Sequence, residues 1–130
     1  MNTIIRATRL AALMSLMIFL FNEGLSAKYV QTCKVKYKKE YGWSQYYTVE
    51  VTFMSGAELN KATSTFGYDG FSTYAIVFWG QGAATVIKIS SYTGCGTEVK
   101  QSCIANNIIN LAGKDQDGDI WEVCTKDYCF

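Results

Sequence analysis

The chain has 130 residues, 49% of them hydrophobic and 15% aromatic, with a formal net charge of +1, five cysteines, and neither histidine nor proline. A near-neutral chain of this length fits one domain and argues against nucleic-acid partners, which are held by neutralising phosphates. The lack of histidine removes the usual general base, and with it Ser/His/Asp and Cys/His nucleophilic machinery.

Arg6 and Arg9 form a short positive region, the twelve residues Leu10 to Phe21 are apolar except at Ser15, and Gly24-Leu25-Ser26-Ala27 supplies small residues for cleavage. This pattern predicts a cleavable secretion signal over residues 1–27 and a single β-rich domain over 28–130, secreted or periplasmic. Twelve residues fall short of the roughly 20 that cross a bilayer, so no transmembrane span is expected after processing. Both arginines and Glu23 lie in the leader, which leaves ten lysines against ten acids and no polybasic address for a membrane.

From Val30 to Lys39 the residues alternate, with Cys33, Val35 and Tyr37 on one face and Lys34, Lys36 and Lys38 on the other. That is the period of a half-buried strand. After Glu40 to Ser44 the alternation resumes, with Tyr47, Val49, Val51 and Phe53 inward and Thr48, Glu50 and Thr52 outward, so a long hairpin is expected with Glu50 facing a lysine across the ladder. Ser55-Gly56-Ala57-Glu58 has the spacing of a capping box, and Leu59, Ala62 and Phe66 follow at helical intervals. A loop from Phe66 to Phe71 leads into Tyr74 to Trp79, whose apolar run reads as a central strand buried on both faces. Gly80-Gln81-Gly82 turns the chain, and Val86, Ile87 and Ile89 form the return strand ending at Ser90-Ser91. The last hairpin joins Ile108–Lys114 to Asp119–Thr125 through Asp117-Gly118, read as a two-residue type I′ turn, with Trp121 and Val123 facing the core.

The expected fold is mostly β, with α+β as a variant. About six strands in sequential hairpins form a small antiparallel barrel or sandwich, disulfide-linked, with one short helix across an open end.

Cysteine density in an exported chain reads as disulfides. Cys95 and Cys103 flank a short polar loop and are the preferred local pair, with Cys33 joined to Cys124 or Cys129 to tie the first strand to the last. Spacing alone leaves the connectivity open, and one thiol remains over. There is no Cys-x-x-Cys motif for thiol redox work and no ligand set for zinc.

Asp115-Gln116-Asp117-Gly118-Asp119 has the alternating oxygens that open an EF-hand loop, but Ile120 stands where that loop needs glycine and Lys126 where it needs a bidentate glutamate. A hairpin turn explains the run, so no metal and no cofactor is expected. The glutamates Glu50, Glu58, Glu98 and Glu122 show no spacing that marks an acid/base pair.

The remaining feature is aromatic display. Tyr41, Trp43 and Tyr46 cluster at the tip of the first hairpin, and Tyr68 and Phe71 lie in a glycine-bearing loop. Rigid aromatic rings at exposed tips give large contact area at low entropic cost. These five are the candidate binding residues, and no catalytic residue is assigned. The reading is a non-enzymatic exported protein that binds another protein of the envelope or extracellular space, as an inhibitor, immunity or interaction protein. A saccharide-binding module using the same rings is the alternative, and a secreted protein with no enzymatic role the third.

Tyr74-Ala75-Ile76-Val77-Phe78-Trp79-Gly80-Gln81-Gly82-Ala83-Ala84 resembles a strand-turn-strand of the periplasmic inhibitors of chicken-type lysozyme, which carry a Phe-Trp-x-x-Gly segment. The resemblance implies a small disulfide-linked β-barrel. That family's Ser-Gly-x-x-Tyr binding run directly precedes this segment and has no counterpart there. Ser55-Gly56 lies well upstream and leads into the predicted helix, so no site residue carries over.

Overall fold

A computed structural model describes residues 29–107 and 110–129. The expected leader over 1–27 and the expected strand start at Ile108 lie outside these residues. In chain order the elements are β1 (Tyr29–Tyr37), β2 (Tyr47–Ser55), α1 (Gly56–Thr63), β3 (Thr73–Gly80), β4 (Ala83–Ile89), α2 (Gln101–Ala105), β5 (Leu111–Lys114) and β6 (Ile120–Cys124). The six strands follow one another around a closed antiparallel barrel, and β1 seals it by pairing with both β2 and β6.

Period-two alternation fills the interior. Val35, Val51, Phe53, Ala75, Val77, Ile87, Leu111, Trp121 and Val123 point inward and are buried. The outer faces of β2, β3 and β4 are also apolar, through Met54, Tyr74, Ile76 and Val86, and Leu59 of α1 covers them. This second layer is why β3 reads as buried on both faces.

The helix therefore lies on the outer wall and not across an open end, because the apolar surface that needs covering is on that wall. One end of the barrel is closed instead by the cysteine loop, which sends Cys95, Val99 and Ile104 into the core cluster. That loop contains α2, a second, five-residue helix that the sequence pattern did not indicate.

The capping box forms as expected, with Glu58 N donating to Ser55 Oγ (3.0 Å) and Ser55 N to Glu58 Oε1 (2.9 Å). The helix ends sooner than its apolar spacing implies. Ser64 is left-handed (φ 56), and Phe66, expected on the helix face, is 98% exposed. Glu50 faces Thr32, not a lysine, across the β1–β2 ladder.

The last hairpin does not use a type I′ turn, which needs positive φ at both central residues. Only Gly118 has it, and Asp115 N donates to Asp119 O across a three-residue loop. Positive φ at both central residues occurs instead in the β3–β4 connection, at Gln81 (φ 54) and Gly82 (φ 78).

The disulfides are Cys95–Cys103, as expected, and Cys124–Cys129. Such bridges are compatible with an oxidising, extracellular or periplasmic location. Cys33 is a buried free thiol, so the expected tie from Cys33 to Cys124 or Cys129 is absent. Strand parity forbids the tie to Cys124. That residue stands opposite Lys34 and shares its outward face, whereas Cys33 points into the core.

Candidate functional site: an aromatic arm at the barrel mouth

β1 and β2 stop at Tyr37 and Tyr47, and the chain between them projects beyond the barrel as an arm, residues 38–46. Its base is held by Ser44, whose N–H donates to the Tyr37 carbonyl (2.8 Å) and whose Oγ accepts from Tyr37 N (2.9 Å). Lys38 and Trp43 form one further bridge, and Lys39 N donates to Gly42 O (2.8 Å) to close the tip. Gly42 sits at φ 81, a conformation that favours glycine. Tyr41, beside it, is 86% exposed.

Trp43 and Tyr46 are half-buried, and their rings do not project with Tyr41. The Lys36 ammonium lies 5.0 Å from the Trp43 ring centroid and 4.8 Å from that of Tyr46. It also lies 3.8 Å from Glu122 Oε1, and the Lys36 side chain is only 14% exposed. A desolvated ammonium against two aromatic faces is among the stronger cation–π settings, at about 2 kcal/mol. These residues clamp the arm against the outer face of β1 and β6.

Beneath the arm, four inward rings fill the barrel mouth. Tyr37 and Tyr47 stack with centroids 6.4 Å apart, Tyr37 lies 5.4 Å from Trp121, Tyr47 meets Trp79 edge-on at 6.0 Å, and Trp79 is 6.2 Å from Trp121. Trp79 Nε1 donates to Thr85 Oγ1 (2.8 Å), and Trp121 Nε1 to Asp115 Oδ2 (2.9 Å). Burial raises the pKa of the Tyr47 phenol, with the neighbouring Tyr37 adding to the shift.

Asp115 explains the aspartate-rich run. Its Oδ1 accepts the N–H groups of Asp117 and Asp119, both at 2.9 Å, while Oδ2 holds the Trp121 indole. Burial pushes its carboxyl up, against the opposing pull of these three donors. The alternating oxygens thus build a turn and lock a core tryptophan. Among the described residues no group of three or more His, Cys, Asp or Glu side chains is placed to hold a metal ion.

The four glutamates stand on four different segments: Glu50 on β2, Glu58 in the α1 cap, Glu98 beside Lys100 in the cysteine loop, and Glu122 with Lys36 on β6. No helix among the described residues is long and apolar enough to cross a membrane.

The five candidate binding residues do not form one patch. Tyr41, Trp43 and Tyr46 belong to the arm, whereas Tyr68 and Phe71 lie in the connection between α1 and β3, which leaves from the other end of β2. Tyr68 is half-buried and packs edge-on against Tyr74, with centroids 5.3 Å apart, and Phe71 is 78% exposed. Sequence reasoning passed over Phe66 as an exposed ring because helical spacing placed it on the buried face of α1, and Tyr92 (90% exposed) and Tyr128 (69%) because they stand in irregular segments where no periodicity assigns a face. It also passed over Lys36, because the acid and rings that enclose it come from segments distant along the chain. Comparison with protein-family models, curated proteins and solved structures finds no match to this chain.

Proposed function

We propose that this chain is an exported, non-enzymatic binding protein that acts on another protein, with the 38–46 arm as its contact element. The observation that carries the reading is Tyr41, fully displayed at the tip of an arm whose base is immobilised by the Lys36 clamp. An aromatic anchor held in place before binding loses little entropy on association, which is how a small contact gains affinity. Export is supported by the leader-like residues 1–27 and by two disulfides. The absence of histidine, with Glu50, Glu58, Glu98 and Glu122 on four different segments, favours binding over turnover.

A saccharide platform fits less well. Stacking on sugar needs open ring faces, whereas Trp43 and Tyr46 face Lys36 and the mouth tyrosines stack on each other.

The test is affinity capture with the oxidised protein from envelope and culture-fluid extracts of its source, with Tyr41→Ala as the matched control. Tyr41 makes no packing contact the barrel depends on, so the variant keeps its melting temperature. Trp43→Ala would unseat the clamp and confound the result. The expected outcome is a stoichiometric protein retained by the native arm and lost with Tyr41→Ala. Equal retention by the variant refutes the arm, and an empty eluate from both refutes a protein partner.

A further inference from the structure

Away from the arm, the outer wall of the barrel carries a second feature where β4 meets β5. These strands are in register only at Lys88–Lys114 and Ile89–Gly113. The two lysines stand directly opposite each other on the outward face, and like charges so placed destabilise a sheet. Gly113 brings the strands closer still, since a Cβ there would overlap the Lys88 carbonyl. Two lysine side chains thus leave the same face of a close, short seam.

Lys88 pairs with Asp69 at 3.7 Å, with both side chains about half exposed. Asp69 is engaged in its own loop, its Oδ1 accepting from Phe71 N (3.2 Å) and its Oδ2 from Ser72 Oγ (3.0 Å). Among the described residues no carboxylate lies within ion-pair distance of Lys114. These groups, together with Ile89 and Ser90, line an open cleft of about 490 Å³.

We propose that this cleft binds a hydroxylated oxyanion, a sugar phosphate or sugar acid, with its anionic group between Lys88 and Lys114 and a hydroxyl donating to Asp69. The two ammoniums supply charge-assisted donors, and the Ser90 hydroxyl can supply a third. Asp69 sets the class. A bare dianion in the cleft would be repelled by that carboxylate, whereas a ligand bearing a hydroxyl on the same side offers it a proton to accept. The inference stands apart from the arm and from the function proposed for it.

The experiment is a ¹⁵N–¹H NMR titration of the oxidised protein with glucose 6-phosphate, glucuronate, inorganic phosphate and glucose. One or both of the sugar anions should shift the amides of Ser72, Ile89 and Ser90 saturably, and the one that saturates at lower concentration identifies the anionic group. Glucose should leave these amides in place, and inorganic phosphate should bind more weakly than the preferred sugar anion. Lys114→Gln, at an exposed position with no ion pair, should weaken the preferred ligand by about tenfold, the loss of one charge-assisted bond. Asp69→Asn keeps an acceptor for Phe71 N and should narrow the gap between inorganic phosphate and the sugar anion. No saturable shift, an unchanged response in Lys114→Gln, or inorganic phosphate binding as tightly as both sugar anions would each overturn the proposal.

Discussion

Asp115 is the residue on which the barrel mouth turns, since one carboxylate ends β5, shapes the turn and fixes the Trp121 indole. Replacement by Asn keeps one acceptor oxygen but presents an N–H₂ to a site that needs only acceptors, so at least one buried donor loses its partner. The expected cost is about 1–3 kcal/mol. The pH dependence of that cost has a definite sign. Burial raises the Asp115 pKa in the folded state, so its protonated form is favoured by folding. Its contribution to stability is complete below the unfolded value of about 4 and declines as pH rises through the folded value. Asn does not titrate, so the stability gap between native protein and Asp115→Asn should shrink as pH rises above the unfolded value of about 4. Urea denaturation across that range measures it. A gap that widens with pH would mean that the three donors outweigh burial.

At the scale of elements, the short β5 leaves part of β4 without a strand beside it, and a side chain fills the place. Gln116 Oε1 accepts from Val86 N (2.9 Å) and its Nε2 donates to Ala84 O (3.0 Å), as a neighbouring strand would. Gln116→Ala should leave both backbone groups without that partner at a cost of about 1–2 kcal/mol. Amide hydrogen exchange should accelerate at Val86 and remain unchanged at Ala75 in β3. Equal acceleration at both would indicate global loosening and not a local stitch. Such a stitch is invisible in sequence, because it joins residues thirty apart through a side chain in a turn. The strands themselves were legible, since Val35, Val51, Phe53, Trp121 and Val123 obey a period of two that burial imposes. The capping box was legible for the same reason, being local chemistry. The position of α1 was not, because it depends on a second apolar layer assembled from three strands. In the arm, Tyr41 could be read from the turn, whereas the clamp on Trp43 and Tyr46 draws its acid from β6.

For the whole molecule, the two disulfides divide the stabilising work unequally. In the chain-entropy account, bridges of sequence separation 8 and 5 stabilise by about 2–2.5 kcal/mol each. A tie between the first and last strands would close a loop of about 90 residues and give roughly twice that. The barrel therefore depends on its closed ladder and core for long-range order, with covalent bonds acting locally. Cys95–Cys103 should still count for more than its entropy, because its loop seats Val99 and Ile104 in the barrel interior, accepts from Ser55 Oγ at Thr97 O (2.8 Å) and donates from Val99 N to Glu58 Oε1 (3.1 Å). Cys124–Cys129 folds the tail back on the outward side of β6, where Thr125 O accepts from Gln31 Nε2 (2.8 Å) and Lys126 Nζ donates to Ala105 O (3.0 Å), and it places no described residue in the barrel interior. Replacing both members of each pair with serine separates the two roles. The Cys95/Cys103 variant should lose more than about 2.5 kcal/mol in denaturant unfolding, and the Cys124/Cys129 variant no more than about 2 kcal/mol. Cys33 reports on the same transition. Burial pushes its thiol up to about 12, so it should resist alkylation in the native protein and react at the rate of unfolding. Faster Cys33 labelling in the Cys95/Cys103 variant than in the Cys124/Cys129 variant would place the loss at the plugged end of the barrel. Equal rates and equal stability losses would show that the cysteine loop does no more than shorten the unfolded chain.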